Sequence, residues 1–208
     1  MSELRSPLYA RVLGSAWHEL PAEIREMHDV HSGLTARGTA AVESGTGFLS
    51  RLVARAIGFP ASTDATPVTV SFTAADGVET WARSFGNQSF SSAQFAGHGR
   101  DAHLLCERFG PVTVAMALVV KGGRLELVPR RWSVFGIPLP LWLGPRVNAY
   151  ESVEQGRFQF HVDIRHALAG RIIHYRGSLA SPEPLAHVAN HDSMHRADDA
   201  VDEEAHGR

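Results

Sequence analysis

Chemically able side chains are thinly spread along this chain, and few fall close enough together to act as a group. His161, Asp163 and His166 lie within a short stretch, and His174 follows in the next extended run. On a strand, residues 161 and 163 share a face. A metal site or an acid–base pair is one use for that arrangement. Solvated polar residues on the outer side of a half-buried strand are the commoner use, and no second group of ligands supports a metal. His191 and His195 copy the i, i+4 spacing of a zinc helix, but their HDSMH setting lacks a glutamate beside the first histidine. No metal centre and no cofactor is expected.

Nucleophiles are equally sparse. The chain has no Gly-x-Ser-x-Gly elbow. Its single cysteine, Cys106, sits in an apolar run between Leu105 and Glu107 and reads as a buried, inert thiol. Standing alone, it excludes an intrachain disulfide and fits a reducing compartment. Gly45-Thr46-Gly47 precedes a helical pattern, the position of a phosphate-binding loop. It lacks the lysine and spacing of a P-loop, and a plain strand-to-helix turn explains it.

The arginines are the better prospect. Arg83, Arg108, Arg130, Arg131, Arg146 and Arg176 fall in or beside extended runs. Cross-strand pairing with Glu79, Glu107, Glu126 and Glu151 accounts for them most simply. The functional reading sends one or two into an interior, where a guanidinium takes an acidic head group with two parallel hydrogen bonds. Arg108, Arg130 and Arg131, with Trp132, Trp142 and Tyr175, form the expected ligand-binding set.

Composition narrows the classes. The 208 residues carry a net charge of −2, unevenly spread. Seven acids and two arginines from Ser181 onward give −5, which leaves +3 on residues 1–180. That balance is no nucleic-acid footprint. No basic segment followed by an apolar one marks a secretory signal, and no apolar run is long enough to span a bilayer as a helix. A cytoplasmic location is the default expectation.

The elements that must position these residues are mostly strands. Residues 104–136 hold two extended runs meeting at Lys121-Gly122-Gly123, a hairpin signal. Val112, Val114, Met116, Leu118 and Val120 share one face of the first run. Ahead of them, residues 7–29 predict two helical pieces broken at Pro21, with Ser6 as the N-cap before Pro7. A strand is predicted over 34–43, with Gly38 marking a bulge or close approach. An amphipathic helix follows, with Phe48, Leu49, Leu52, Val53, Ala56 and Ile57 on its stripe, stopped by Gly58 and Pro60.

From Thr66 on, almost everything reads as strand. Asp76-Gly77 and Gly86-Asn87 are turns, and Phe158, Phe160, Val162 and Ile164 alternate cleanly with polar residues. The stretch FGIPLPLWLGPR at 135–146 has too many prolines for a central strand. It predicts a hydrophobic loop that caps the sheet, covers a cavity, touches a membrane or meets a partner. Residues 145–153, 157–165 and 171–179 give the last strands. Residues 1–180 are read as one β-rich domain and 181–208 as a disordered acidic tail.

The segments ESGTGFLSRLVARAIGFP, ERFGPVTVAMAL, RRWSVFGIPLP and HALAGRIIHYRG together resemble a bacterial domain of unknown function, number 4166. The resemblance runs over roughly residues 8–180. In some similar proteins the domain follows a saccharopine-dehydrogenase-like reductase domain, which implies a small-molecule setting. The family brings no established activity and no catalytic residues to carry across.

The reading is an α+β fold: a mostly antiparallel β-barrel or half-barrel of about nine or ten strands, flanked or plugged by the N-terminal helices. The function that fits is binding of a hydrophobic or amphipathic small molecule in the barrel. An isomerase- or hydrolase-type enzyme is the first alternative, using Glu107, Glu151 or Asp163 with a strand arginine. A structural or interaction domain with 135–146 as its contact is the second. The ligand and the oligomeric state are not legible.

Overall fold

The computed structural model describes residues 6–185. Two α-helices open it, α1 (Leu8–Leu13) and α2 (Ala22–His28), joined by a 3-10 turn at Gly14–Glu19. Strand β1 (Gly33–Ser44) leads to helix α3 (Phe48–Ile57). A meander follows: β2 (Thr63–Ala75), β3 (Val78–Phe85), β4 (Gln88–Ala96), β5 (Leu105–Phe109), β6 (Val112–Lys121) and β7 (Arg124–Val134). Strand β8 (Ile137–Leu139) folds back on β7, and a 3-10 turn at Leu141–Leu143 leads to β9 (Arg146–Glu154), β10 (Arg157–His166) and β11 (Gly170–Leu179). The short β12 (Glu183–Pro184) pairs with Leu34 and Thr35 of β1. It falls inside the stretch expected to be a tail; residues 186–208 of that stretch, with His191 and His195, lie outside the described residues.

Ten strands pair antiparallel in chain order, with β7 joined to β9 past the short β8, and β11 returns to pair with β1. The result is a closed, ten-stranded up-and-down barrel. Closure requires close backbone approach at the β1–β11 seam. A Cβ on Gly38 would overlap the carbonyl oxygen of Ser178, and one on Gly177 would overlap that of Thr39. Gly38 therefore marks a close approach, and the nearby irregularity in β1 falls between Ala40 and Val42.

One wall is thinner than the rest. Strands β9 and β10 share nine register pairs, whereas β7 and β9 share three, from Leu125↔Glu151 to Leu127↔Ala149. Beyond Leu127, β7 turns away at a bulge: Ala115 and Met116 of β6 face Arg131 and Pro129, which leaves Arg130 as the extra residue. Pro129 is tolerated there because a bulge needs no ladder donor. The 135–146 stretch occupies the same side as a hairpin and a turn.

The two ends differ. Helices α1 and α2 close the end that carries the β2–β3 and β6–β7 turns: the Arg11 side chain reaches the carbonyl of Gly77, and Pro21 lies against Gly123. Leu8, Tyr9, Ile24, Met27 and His28 are all buried. The helices therefore plug the barrel. Helix α1 begins after Pro7 without a side-chain cap, so the expected Ser6 cap is not made; proline at the first turn supplies no donor that needs one. Helix α3 lies at the opposite end, packed on β11 and β1. Only Val53, Ala54 and Ile57 of α3 pack against the core, while Phe48, Leu49 and Leu52 are exposed. No helix among the described residues is long and apolar enough to cross a membrane.

Candidate functional site

The alternation of each strand decides what faces inward. In β3 the inward set is Glu79, Trp81, Arg83 and Phe85; in β5 it is Leu105, Glu107 and Phe109; in β9 it is Val147, Ala149 and Glu151. Together with the valines of β2 and β6 and the phenylalanines of β10, they enclose a cavity of about 480 Å³. This falls within the roughly 300–1,000 Å³ typical of small-molecule sites. Its mouth lies at the α3 end, edged by Leu49, Val53, Ile57, Leu143 and Leu168.

The walls are apolar and the inner end is not. Arg83 donates to Ser92 Oγ at 2.9 Å and to Glu107 Oε1 at 3.1 Å, and Ser92 donates to the same carboxylate oxygen at 2.6 Å. The guanidinium also lies 4.9 Å from the Trp81 ring and 5.5 Å from that of Phe90, a cation–π placement at both. Glu151 Oε2 pairs with His28 Nε2 at 2.6 Å. The His28 ring is fully buried, stacked on Tyr9 at 3.7 Å and on Trp81 at 5.4 Å. Carboxylates are tolerated this deep because each accepts from a neighbouring side chain.

Glu107 Oε2 and Glu151 Oε1 have no hydrogen-bond partner among the described residues. Both residues line the cavity. Gln94 also lines this end, its Oε1 accepting from the Tyr9 hydroxyl at 3.1 Å.

Three buried groups around the plug and cavity have displaced acidities. Burial, reinforced by Glu151, Glu107 and Glu79, pushes the Tyr9 hydroxyl well up. Burial likewise pushes Tyr175 up to about 12, so both phenols stay neutral donors. Burial also raises the Glu79 carboxyl, against the opposing pull of the hydrogen bond from Trp81. Glu79 accepts from the Leu8 amide and from Trp81 Nε1 behind the cavity lining.

The sequence-derived ligand set divides. Trp132 and Tyr175 line the cavity. Arg108, Arg130 and Arg131 are exposed. Arg131 is held on the outer surface by the Arg100 carbonyl and by Asp101 at 2.7 Å. Trp142 is 78% exposed. Of the three carboxylates considered for catalysis, Glu107 and Glu151 meet at the cavity, while Asp163 sits on the outer wall, paired with Arg165 at 2.8 Å. His174 faces the same side across the β10–β11 register, and His161 stands with it at 4.9 Å between rings. Burial and the neighbouring His174 lower the His161 pKa. No cluster among the described residues could hold a metal ion. Cys106 is buried, with its pKa raised to about 11 by burial.

Two cavity-end positions lie outside the sequence-derived ligand set. Arg83 is among the strand arginines that the sequence singles out, but nothing in it shows which of them turns inward. His28 had a readable signal: Ile24, Met27 and His28 stand at i, i+3 and i+4, one helical stripe.

No curated protein matches the chain. A family model does, over residues 20–179, from the end of the first helical segment to the last residue of β11. The matched span includes nearly all of the barrel, along with His28, Arg83, Glu107 and Glu151. The chain belongs to the family described as a domain of unknown function, DUF4166.

Proposed function

We propose that this protein binds an amphipathic small molecule, its apolar body lying along the barrel and its hydrogen-bond-donating head at the inner end. One observation carries the reading. An apolar cavity of about 480 Å³ ends at two carboxylates, each with an oxygen unclaimed by the described residues. Carboxylate oxygens accept and do not donate, so an alcohol or amine head is favoured over a carboxylate. An acidic head would meet Glu107 and Glu151 as like charges, with Arg83 already engaged. The acidic head group expected from the sequence is therefore replaced by a donor.

Displacement of a fluorescent long-chain alcohol by decanol, decylamine and decanoate tests this. The expected order is amine and alcohol ahead of carboxylate. Ala149→Trp, which fills the cavity from one wall, abolishes probe binding. An Ala149→Trp protein that folds and still binds the probe like the parent would overturn the reading.

A second reading rests on the buried His28–Glu151 pair. A carboxylate oriented by an imidazole inside an apolar pocket is an arrangement suited to proton abstraction. Its signature is deuterium incorporation from heavy water into a bound ligand, stopped by Glu151→Gln. Exchange at equal rates in both proteins, or none in either, removes it.

A further inference from the structure

We propose that the open end of the barrel docks on an anionic lipid bilayer, with α3 lying in the headgroup layer. The large hydrophobic side chains exposed among the described residues are Phe48, Leu49 and Leu52, then Phe135, Ile137, Leu141, Trp142 and Leu143, and finally Leu168. All belong to three segments at the mouth, 45–62, 135–148 and 164–171. The anchoring is structural. Leu49, Leu143 and Leu168 edge the cavity, and the Phe135 amide donates to the carbonyl of Pro111 in the β5–β6 turn at that end. Surfaces normally scatter such residues singly; gathered in one place they mark a contact.

Charge identifies what is contacted. The three segments contain Arg51, Arg55, Arg146, Arg165 and Arg171, and no aspartate or glutamate. Asp163 pairs with Arg165 and Arg171, and Glu43 also engages Arg171. Arg51, Arg55 and Arg146 are exposed, with no ion pair among the described residues. The exposed face of α3 carries Phe48, Leu49 and Leu52 with Arg51 and Arg55 along its edge and no acid, which matches the requirements of an interfacial helix. Each free arginine near an anionic surface adds roughly 1 kcal/mol, about fivefold in partitioning. A second copy of this chain would bring the same positive rim against itself, which disfavours self-association through this face.

The rim is held open to such a surface by its own hydrogen bonds. His166 Nδ1 accepts from the Leu168 amide at 3.2 Å, which leaves Nε2 as the protonated nitrogen, donating to the Leu143 carbonyl at 3.1 Å. The β10–β11 turn and the 141–143 turn are thereby tied together, and their leucines stand side by side at the mouth. Docked on a bilayer, the mouth would face acyl chains directly, so an amphipathic molecule could pass without crossing water.

Co-sedimentation of the full chain with vesicles tests the proposal. The parent is expected to bind phosphatidylcholine vesicles that contain phosphatidylglycerol, and to bind pure phosphatidylcholine at least tenfold more weakly. Phe48→Asp with Leu52→Asp abolishes binding, while Arg51→Gln and Arg55→Gln each weaken it about fivefold. These positions are exposed, so the circular dichroism spectrum should not change. Equal binding to both vesicle types, or an aspartate variant that sediments like the parent, overturns the proposal. So does a parent dimer that the aspartate pair dissociates. The Ala149→Trp protein should still bind vesicles, which separates failure of this inference from failure of the cavity reading.

Discussion

The two ends of the barrel are built from similar material and treat it in opposite ways. At the plugged end, α2 carries Ile24, Met27 and His28 on one stripe and buries all three. At the mouth, α3 carries a broader apolar stripe and buries only part of it, leaving Phe48, Leu49 and Leu52 in the open. The charges oppose as well: residues 8–29 hold four acids and two arginines, and the mouth segments hold arginines alone. Amphipathicity states that a helix has an apolar face; it does not state that the protein itself covers that face. Stacked rings and hydrogen-bonded polar side chains are sealed at the plug, and the exposed apolar surface lies at the rim.

The strongest test of this division is His28→Ala. The substitution removes the partner of Glu151 and empties a ring position between Tyr9 and Trp81. Leaving a buried carboxylate without its hydrogen-bond donor costs about 1–3 kcal/mol, and urea unfolding should report a loss of at least that size. A loss under about 1 kcal/mol would mean the plug contributes little, and the contrast between the ends would fail.

Why some of this was legible in the sequence and some was not follows from range. The β6–β7 hairpin, the β10 alternation and the stop at Gly58 are local, written in periodicity and turn residues. Closure is not local: Val42 meets Tyr175 across more than half the chain, and no pattern in either strand names the other. The choice of arginine failed for a related reason. Arg130 and Arg131 adjoin Trp132 in sequence, but the bulge after Pro129 leaves them exposed while Trp132 lines the cavity. Arg83 shares its strand face with Trp81 and Phe85, a pattern that looks like ordinary core until β4 and β5 supply Ser92 and Glu107.

A second, smaller effect sharpens the picture of the plug through pH. Burial holds the Glu79 carboxyl above its ordinary value, so the folded chain keeps this proton where the unfolded chain has released it. Stability therefore falls as pH rises from the ordinary carboxylate range through the raised folded value. Below that range both states are protonated and the dependence vanishes. Glu79→Gln removes the titrating group, so its unfolding free energy should gain on that of the parent as pH rises across this window. A difference that stays constant with pH would mean Glu79 is not titrating differently in the two states.

The smallest stability change is expected at the rim, and its smallness is informative. Trp142 is exposed, and its substitution by aspartate removes no buried contact. The neighbouring Trp132 keeps its own anchor, donating from Nε1 to the Pro140 carbonyl at 2.9 Å. Surface substitutions away from caps and pairs ordinarily stay within about 0.5 kcal/mol, so Trp142→Asp should unfold at the same urea concentration as the parent. If it is clearly destabilised, the 141–143 turn is part of the barrel's support and the exposed rim is structural. If stability is unchanged while vesicle binding drops, the same residue separates folding from contact, as the opposition between the two ends requires.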